Sequence, residues 1–101
     1  AKKYNLLIGT FGHFGDGNLH PTCLTDERDT EEIHRVEKAY EEIFAESVRL
    51  GGTITGEHGT GLAKRKYLHL VTGDTSIEIM RALKKTLDPN SVLNPTKIFT
   101  L

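Results

Sequence analysis

Two histidines, His13 and His20, flank an Asp16-Gly17 pair, one of the strongest short signals for a tight β-hairpin turn. If Asp16 and Gly17 are the two loop residues, Gly15 pairs with Asn18, Phe14 with Leu19, and His13 with His20. Directly opposed residues bring their Cβ atoms to about 5 Å, close enough for two imidazoles to share one metal ion. A spacing of seven puts the two on opposite faces of a continuous strand, so it is the turn that makes the pair. Thr22, two residues beyond His20, lines the same face. Two unrelated histidines beside a turn would show the same spacing, and the residues alone leave both readings open.

A second cluster is Thr55-Gly56-Glu57-His58-Gly59-Thr60-Gly61. A Glu-His pair among glycines is poor helix material, and the glycines allow unusual backbone angles and close approach of another molecule. Glu57 could supply the carboxylate that completes a two-histidine metal site. His58 would then be an imidazole suited to general-base work near neutral pH. The plainer alternative is a flexible glycine loop with exposed polar groups. Phosphate-loop readings fail on detail. Leu62 stands where a Walker loop needs lysine, and His20 occupies the third glycine of a dinucleotide pattern.

The remaining candidates carry less. His34 sits in the long helix beside its apolar stripe and reads as a surface or boundary residue, and His69 has no partner in sequence. Lys64, Arg65 and Lys66 read as a solvated basic turn, one member of which could reach an anionic substrate. Cys23 reads as packed, since nothing near it in sequence would lower its pKa.

These residues need elements to hold them. Strands are predicted at about residues 4–14 and 18–25, paired antiparallel. The clearest helix lies between Asp26 and Gly52, with Ile33, Val36, Tyr40, Ile43, Phe44 and Val48 at helical spacing. Asp29 and Glu32 make its N-terminal capping pair, and Gly51-Gly52 ends it. Thr53 to Thr55 reads as a short strand and residues 61–71 as a short helix or irregular turn. A second helix is expected from Ser76 to Leu87, with Thr75 and Glu78 as capping box and Asp88-Pro89 as its stop. The tail from Asn90 reads as an extended packing segment. The fold class that follows is α+β, an antiparallel β-sheet with helices packed on one face.

The 101 residues suit one small domain, burying roughly 65% of the unfolded surface. Thirteen basic residues against fourteen acidic ones give a net charge of -1, which argues against nucleic acid as the main partner. No apolar run approaches membrane-spanning length. The single cysteine excludes an internal disulfide framework and fits a reducing, cytoplasmic compartment.

Three blocks, HFGDGNLHPT (His13 to Thr22), GGTITGEHGTG (Gly51 to Gly61) and DPNSVLNPTK (Asp88 to Lys97), together resemble the C-terminal part of the FAD-linked 2-hydroxy-acid oxidases and dehydrogenases. The resemblance is to the glycolate oxidase flavoprotein subunit and D-lactate dehydrogenase branch, and it spans nearly the whole chain. It implies that residues 1–101 are the C-terminal half of a ferredoxin-like substrate (cap) domain, with the FAD-binding domain absent from this chain. It also implies that the histidines matching His13 and His20 and the glutamate matching Glu57 bind a divalent metal, often zinc, and that His58 is the base. Asn94 falls on the flavin side as a cofactor-binding residue. The implied reaction oxidises a D-2-hydroxy acid such as glycolate or D-lactate to the 2-oxo acid. The metal holds substrate, the base takes the hydroxyl proton, and hydride goes to FAD. The isolated chain is then expected to be inactive. Two positions depart from the family pattern: Thr22 stands where some metal-using relatives have asparagine, and Thr96 replaces the glycine of an Asn-Pro-Gly-Lys tail.

Two other classes fit part of the sequence. A metal-dependent hydrolase, with two histidines and one glutamate at its centre, explains the hairpin and the glycine loop but not the DPNSVLNPTK tail. A non-enzymatic interaction module would form homo-oligomers through apolar surface that the absent domains normally cover.

Overall fold

A computed structural model describes residues 1–100. The architecture is α+β, with a two-stranded antiparallel sheet, β1 (Leu7–His13) and β2 (Asn18–Leu24), and two long helices, α1 (Thr30–Arg49) and α2 (His69–Leu87). The chain divides into two compact units, Ala1–Ile43 and a second from Phe44 on, and the division falls within α1.

In the first unit, strand alternation puts Ile8 and its partner Cys23 on one face of the sheet. Leu6, Ile8 and Cys23 meet Val36, Ala39, Tyr40 and Ile43 of α1 there. Tyr40 also closes the outer edge of β2: its hydroxyl accepts from the Cys23 N–H (3.2 Å) and donates to the Pro21 carbonyl (2.9 Å). An edge strand leaves such groups without ladder partners, so one phenol both packs and satisfies the backbone. The N-terminal end is tied to α1 by Lys3 and Tyr4, which both donate to Glu42, and by Arg35 Nε donating to the Tyr4 carbonyl (3.1 Å).

Asp29 caps α1 as predicted, but without Glu32 as its capping partner. Asp29 Oδ1 accepts from the N–H groups of Glu31 (3.1 Å) and Glu32 (2.9 Å). Glu32 does not close the box on Asp29; its Oε2 accepts instead from the Asp26 N–H (3.3 Å). At the other end Gly51, at φ 86°, donates to Val48 O (3.0 Å) and Gly52 to Ser47 O (2.8 Å). This is the Schellman arrangement, which satisfies two carbonyls of the last turn.

The hairpin differs from the expected two-residue Asp-Gly turn. The loop holds four residues: Phe14–Asp16 form a 3-10 turn, and Gly17, at φ 70°, donates to Phe14 O (3.1 Å). A two-residue Asp-Gly loop of type I′ requires positive φ at both residues, and only Gly17 adopts it. The register consequently moves by two, so that His13 pairs with Asn18 and His20 with Phe11. His13 is not directly opposite His20.

The second unit has its core at Leu68, Ile77 and Phe99, with Met80 packed against them, and the Tyr67 ring sits 4.8 Å from Phe44. Three expectations fail here. Thr53 to Thr55 forms no strand. The second helix begins at His69, and Gly73 (φ 73°, ψ 164°) interrupts it, so the new start falls at Gly73 and Thr75 lies too late to cap it. The tail is a series of turns, not an extended segment, with Ser91, Asn94, Thr96 and Ile98 at positive φ, and it anchors through buried Phe99. Asp88 fastens the end of α2 to this tail: it accepts from Lys84, from Val92 N–H (3.0 Å) and from Leu93 N–H (2.9 Å). No helix among the described residues is long and apolar enough to cross a membrane.

Candidate functional site

His13 and His20 belong to the first unit, Glu57 and His58 to the second. The two-residue shift in register preserves strand parity, because only an odd slip sends a side chain to the other face. His13, Phe11, Gly9 and their partners Asn18, His20 and Thr22 therefore share the face turned away from Ile8 and Cys23. The His13 and His20 rings approach on it as diagonal neighbours, with centroids 6.3 Å apart and planes at 63°. The two rings are neighbours on one face, but diagonally and not directly opposed as the two-residue turn implied. Thr22 also lies on this face, as expected, and its hydroxyl reaches back to the His20 carbonyl (3.4 Å).

Two further residues, absent from the sequence-based candidates, lie against His20. Phe11 is its direct partner across the ladder, with ring centroids 5.5 Å apart and planes within 7°. Gly12 lies against it: a Cβ built there would overlap His20 Cδ2 and the Asn18 carbonyl and lie 3.2 Å from His20 Nε2. The signal was present, since a lone glycine inside a strand often marks close approach.

The glycine loop holds its chemistry between anchored ends. On one side Ile54 is 4% exposed, and Ser47 Oγ donates to the Thr53 carbonyl (2.8 Å). On the other, Gly61 O accepts from the Ile98 N–H (2.8 Å) and Thr60 O from the Lys64 N–H (3.2 Å). Gly59 and Gly61, at φ 77° and 52°, bend the chain between these anchors. Glu57 and His58 are exposed on the loop, with Oε1 and Nε2 3.9 Å apart.

The other candidates resolve as follows. His34 is exposed on α1 and His69 is exposed at the start of α2. Cys23 is half-buried, and burial pushes its thiol pKa up, as does the charge of Glu32, which fits a packed side chain. The basic run is less solvated than expected: Lys64 lies 6.0 Å over the Phe44 ring and burial lowers its pKa, while Arg65 donates to the Thr96 carbonyl (2.9 Å). Asn94 is exposed in a left-handed turn, with its carbonyl accepting from Lys97 N–H (3.3 Å). Thr96, at φ 66°, occupies a conformation that favours glycine. A hollow of about 460 Å³ in the second unit is lined by Arg65, His69, Asp74, Glu78, Arg81 and Phe99 among others and includes none of the predicted metal, base or flavin-side residues.

Comparison with known proteins converges on one family. The family described as FAD linked oxidases, C-terminal domain, matches residues 1–98. The chain is 54% identical over 99 residues to glycolate oxidase subunit GlcD of Bacillus subtilis, covering 98% of this chain and 21% of that protein. It is 41% identical over 92 residues to D-lactate dehydrogenase of Anaerostipes hadrus, covering 90% and 19%. It is also 41% identical over 91 residues to D-2-hydroxyglutarate dehydrogenase of Stutzerimonas stutzeri, covering 88% and 20%. The chain thus spans about a fifth of the length of these relatives. Hairpin, glycine loop and tail all lie inside the matched stretch, and the chain belongs to the C-terminal domain family of the FAD-linked oxidases.

Proposed function

We propose that this chain is the C-terminal half of the substrate-binding cap of a flavin-dependent oxidoreductase that converts a D-2-hydroxy acid to the 2-oxo acid. The observation that carries the reading is the family match over residues 1–98. The names of its relatives supply the substrate class: glycolate, D-lactate and D-2-hydroxyglutarate all carry a hydroxyl on the carbon next to a carboxylate.

In this reading His13, His20 and Glu57 hold a divalent metal, with zinc as the first choice for two imidazoles and a carboxylate. The same-face placement of His13 and His20 supports the fit. The two rings are neighbours on that face, with centroids 6.3 Å apart, and two imidazoles with a carboxylate are a donor set that would suit zinc. The flavin, when bound, supplies the hydride acceptor, and the metal supplies positive charge beside the substrate oxygens. The chain's own residues do the rest. The imidazole nitrogens of His13 and His20 and the Glu57 carboxylate would fix the ion's position at the substrate end. His58 accepts the hydroxyl proton, a role for which imidazole is suited near neutral pH. Asn94, on the tail, faces the flavin side in this reading, and the flavin-binding part of the protein lies outside this chain.

The test is made in the complete flavoprotein. His58→Ala is expected to retain bound metal while turnover of glycolate or D-lactate falls by about a hundredfold or more. Loss of the metal instead makes His58 a ligand, and unchanged turnover removes it from the mechanism.

A further inference from the structure

The sheet face that carries His13 and His20 also carries an aromatic pair across the ladder. Phe11 pairs directly with His20 across the ladder, and the rings lie nearly parallel at 7° with centroids 5.5 Å apart. Phe11 is 61% exposed, so the core formed by these residues does not account for an aromatic side chain there. Gly12, next to it, is at φ 132°, and any side chain built on it would overlap the His20 ring at Cδ2 and approach Nε2 to 3.2 Å. One neighbour thus supplies a flat surface for the imidazole to lie on, and the other leaves empty the volume that the imidazole needs.

We propose that Phe11 and Gly12 are positioning residues for His20, selecting the one orientation of its imidazole that meets His13 on the shared face. The proposal rests on the reading of His20 as a metal ligand. A histidine side chain rotates about two bonds among several staggered orientations, and a ligand free to sample all of them binds an ion more weakly than one already aimed. Metal-ligating histidines depend in this way on neighbours that fix the ring, and losing such a neighbour typically costs about 10–100-fold in metal affinity. A stacked aromatic ring fixes the plane of the imidazole through its face, without a hydrogen bond from the phenyl to either ring nitrogen.

The experiment uses the full chain and zinc alone, with two readouts: zinc affinity by competition against a chromogenic chelator, and the NMR positions of the His20 ring protons without metal. A stacked phenyl shields those protons. Phe11→Leu is expected to move them downfield and weaken zinc about tenfold, and Phe11→Tyr, which keeps the stacking surface, is expected to restore both. Gly12→Ala is expected to shift the same protons and weaken zinc, and should it fail to fold, the Phe11 pair carries the test. If Phe11→Leu leaves the ring protons and the zinc affinity at wild-type values, the proposal is overturned. Shifted ring protons with unchanged affinity, in a chain whose His20→Ala variant loses zinc, overturn it as well. If His20→Ala itself keeps full zinc affinity, the ligand reading fails, and the ring protons of Phe11→Leu still decide whether Phe11 orients the imidazole.

Discussion

At the scale of single residues, backbone angle and ring placement decide what each side chain can do. Thr96 is the plainest case. A β-branched residue at φ 66° holds a left-handed conformation that costs L-residues roughly 1–2 kcal/mol and glycine little. Glycine gives some of that back through the entropy of its unfolded chain. Thr96→Gly is therefore expected to raise stability by up to about 1 kcal/mol, read as a higher Tm. An unchanged or lower Tm removes the strain from the account. Parity made the sharing of a face by His13 and His20 legible in the sequence, since it survives any even change of register. Their diagonal placement was not legible, because it depends on Asp16 adopting a helical conformation where the Asp-Gly pair suggests a left-handed one.

At the scale of elements, caps and breaks set the boundaries. Asp29 was readable as the cap of α1 because a short carboxylate before an apolar-periodic run has few other uses. Its two bonds to the Glu31 and Glu32 N–H groups predict that Asp29→Ala costs about 1 kcal/mol, checked by denaturant unfolding; a variant as stable as wild type contradicts the cap. The start of α2 was harder to read. Gly73 breaks the helix at φ 73°, and a glycine inside a periodic segment does not announce whether the chain continues on its far side. The end of α2 carries a pH prediction. Asp88, 8% exposed, is held by Lys84 and then by the Val92 and Leu93 N–H groups, which lower its pKa from 3.8 to about 2. A carboxyl with a depressed folded-state pKa stabilises the fold above its unfolded value and loses that contribution as pH falls toward the folded one. The stability difference between wild type and Asp88→Asn should therefore be greatest above pH 3.8 and shrink toward about pH 2. A difference that stays constant over that range would mean that the Asp88 charge does not hold the tail.

At the scale of the molecule, the chain is about a fifth as long as its relatives, which bears on what it can do alone. Family membership was legible from three short blocks, because hairpin, glycine loop and tail each contain residues with little use in folding alone. The positioning of His20 was not, because it arises from a pairing across the ladder that no linear pattern states. With the flavin-binding part proposed to lie outside these residues, the purified chain is expected to be colourless and to reduce no electron acceptor with D-lactate. A yellow, active preparation contradicts that division of labour. The central claim is that His13, His20 and Glu57 hold a divalent metal, and the direct measurement is metal content by mass spectrometry. The chain and its His13→Ala, His20→Ala and Glu57→Ala variants would be equilibrated with zinc, manganese, cobalt and iron. A divalent ion is expected in the wild-type chain and is expected to be lost in each variant; undiminished metal in all three variants would mean that these residues are not its ligands.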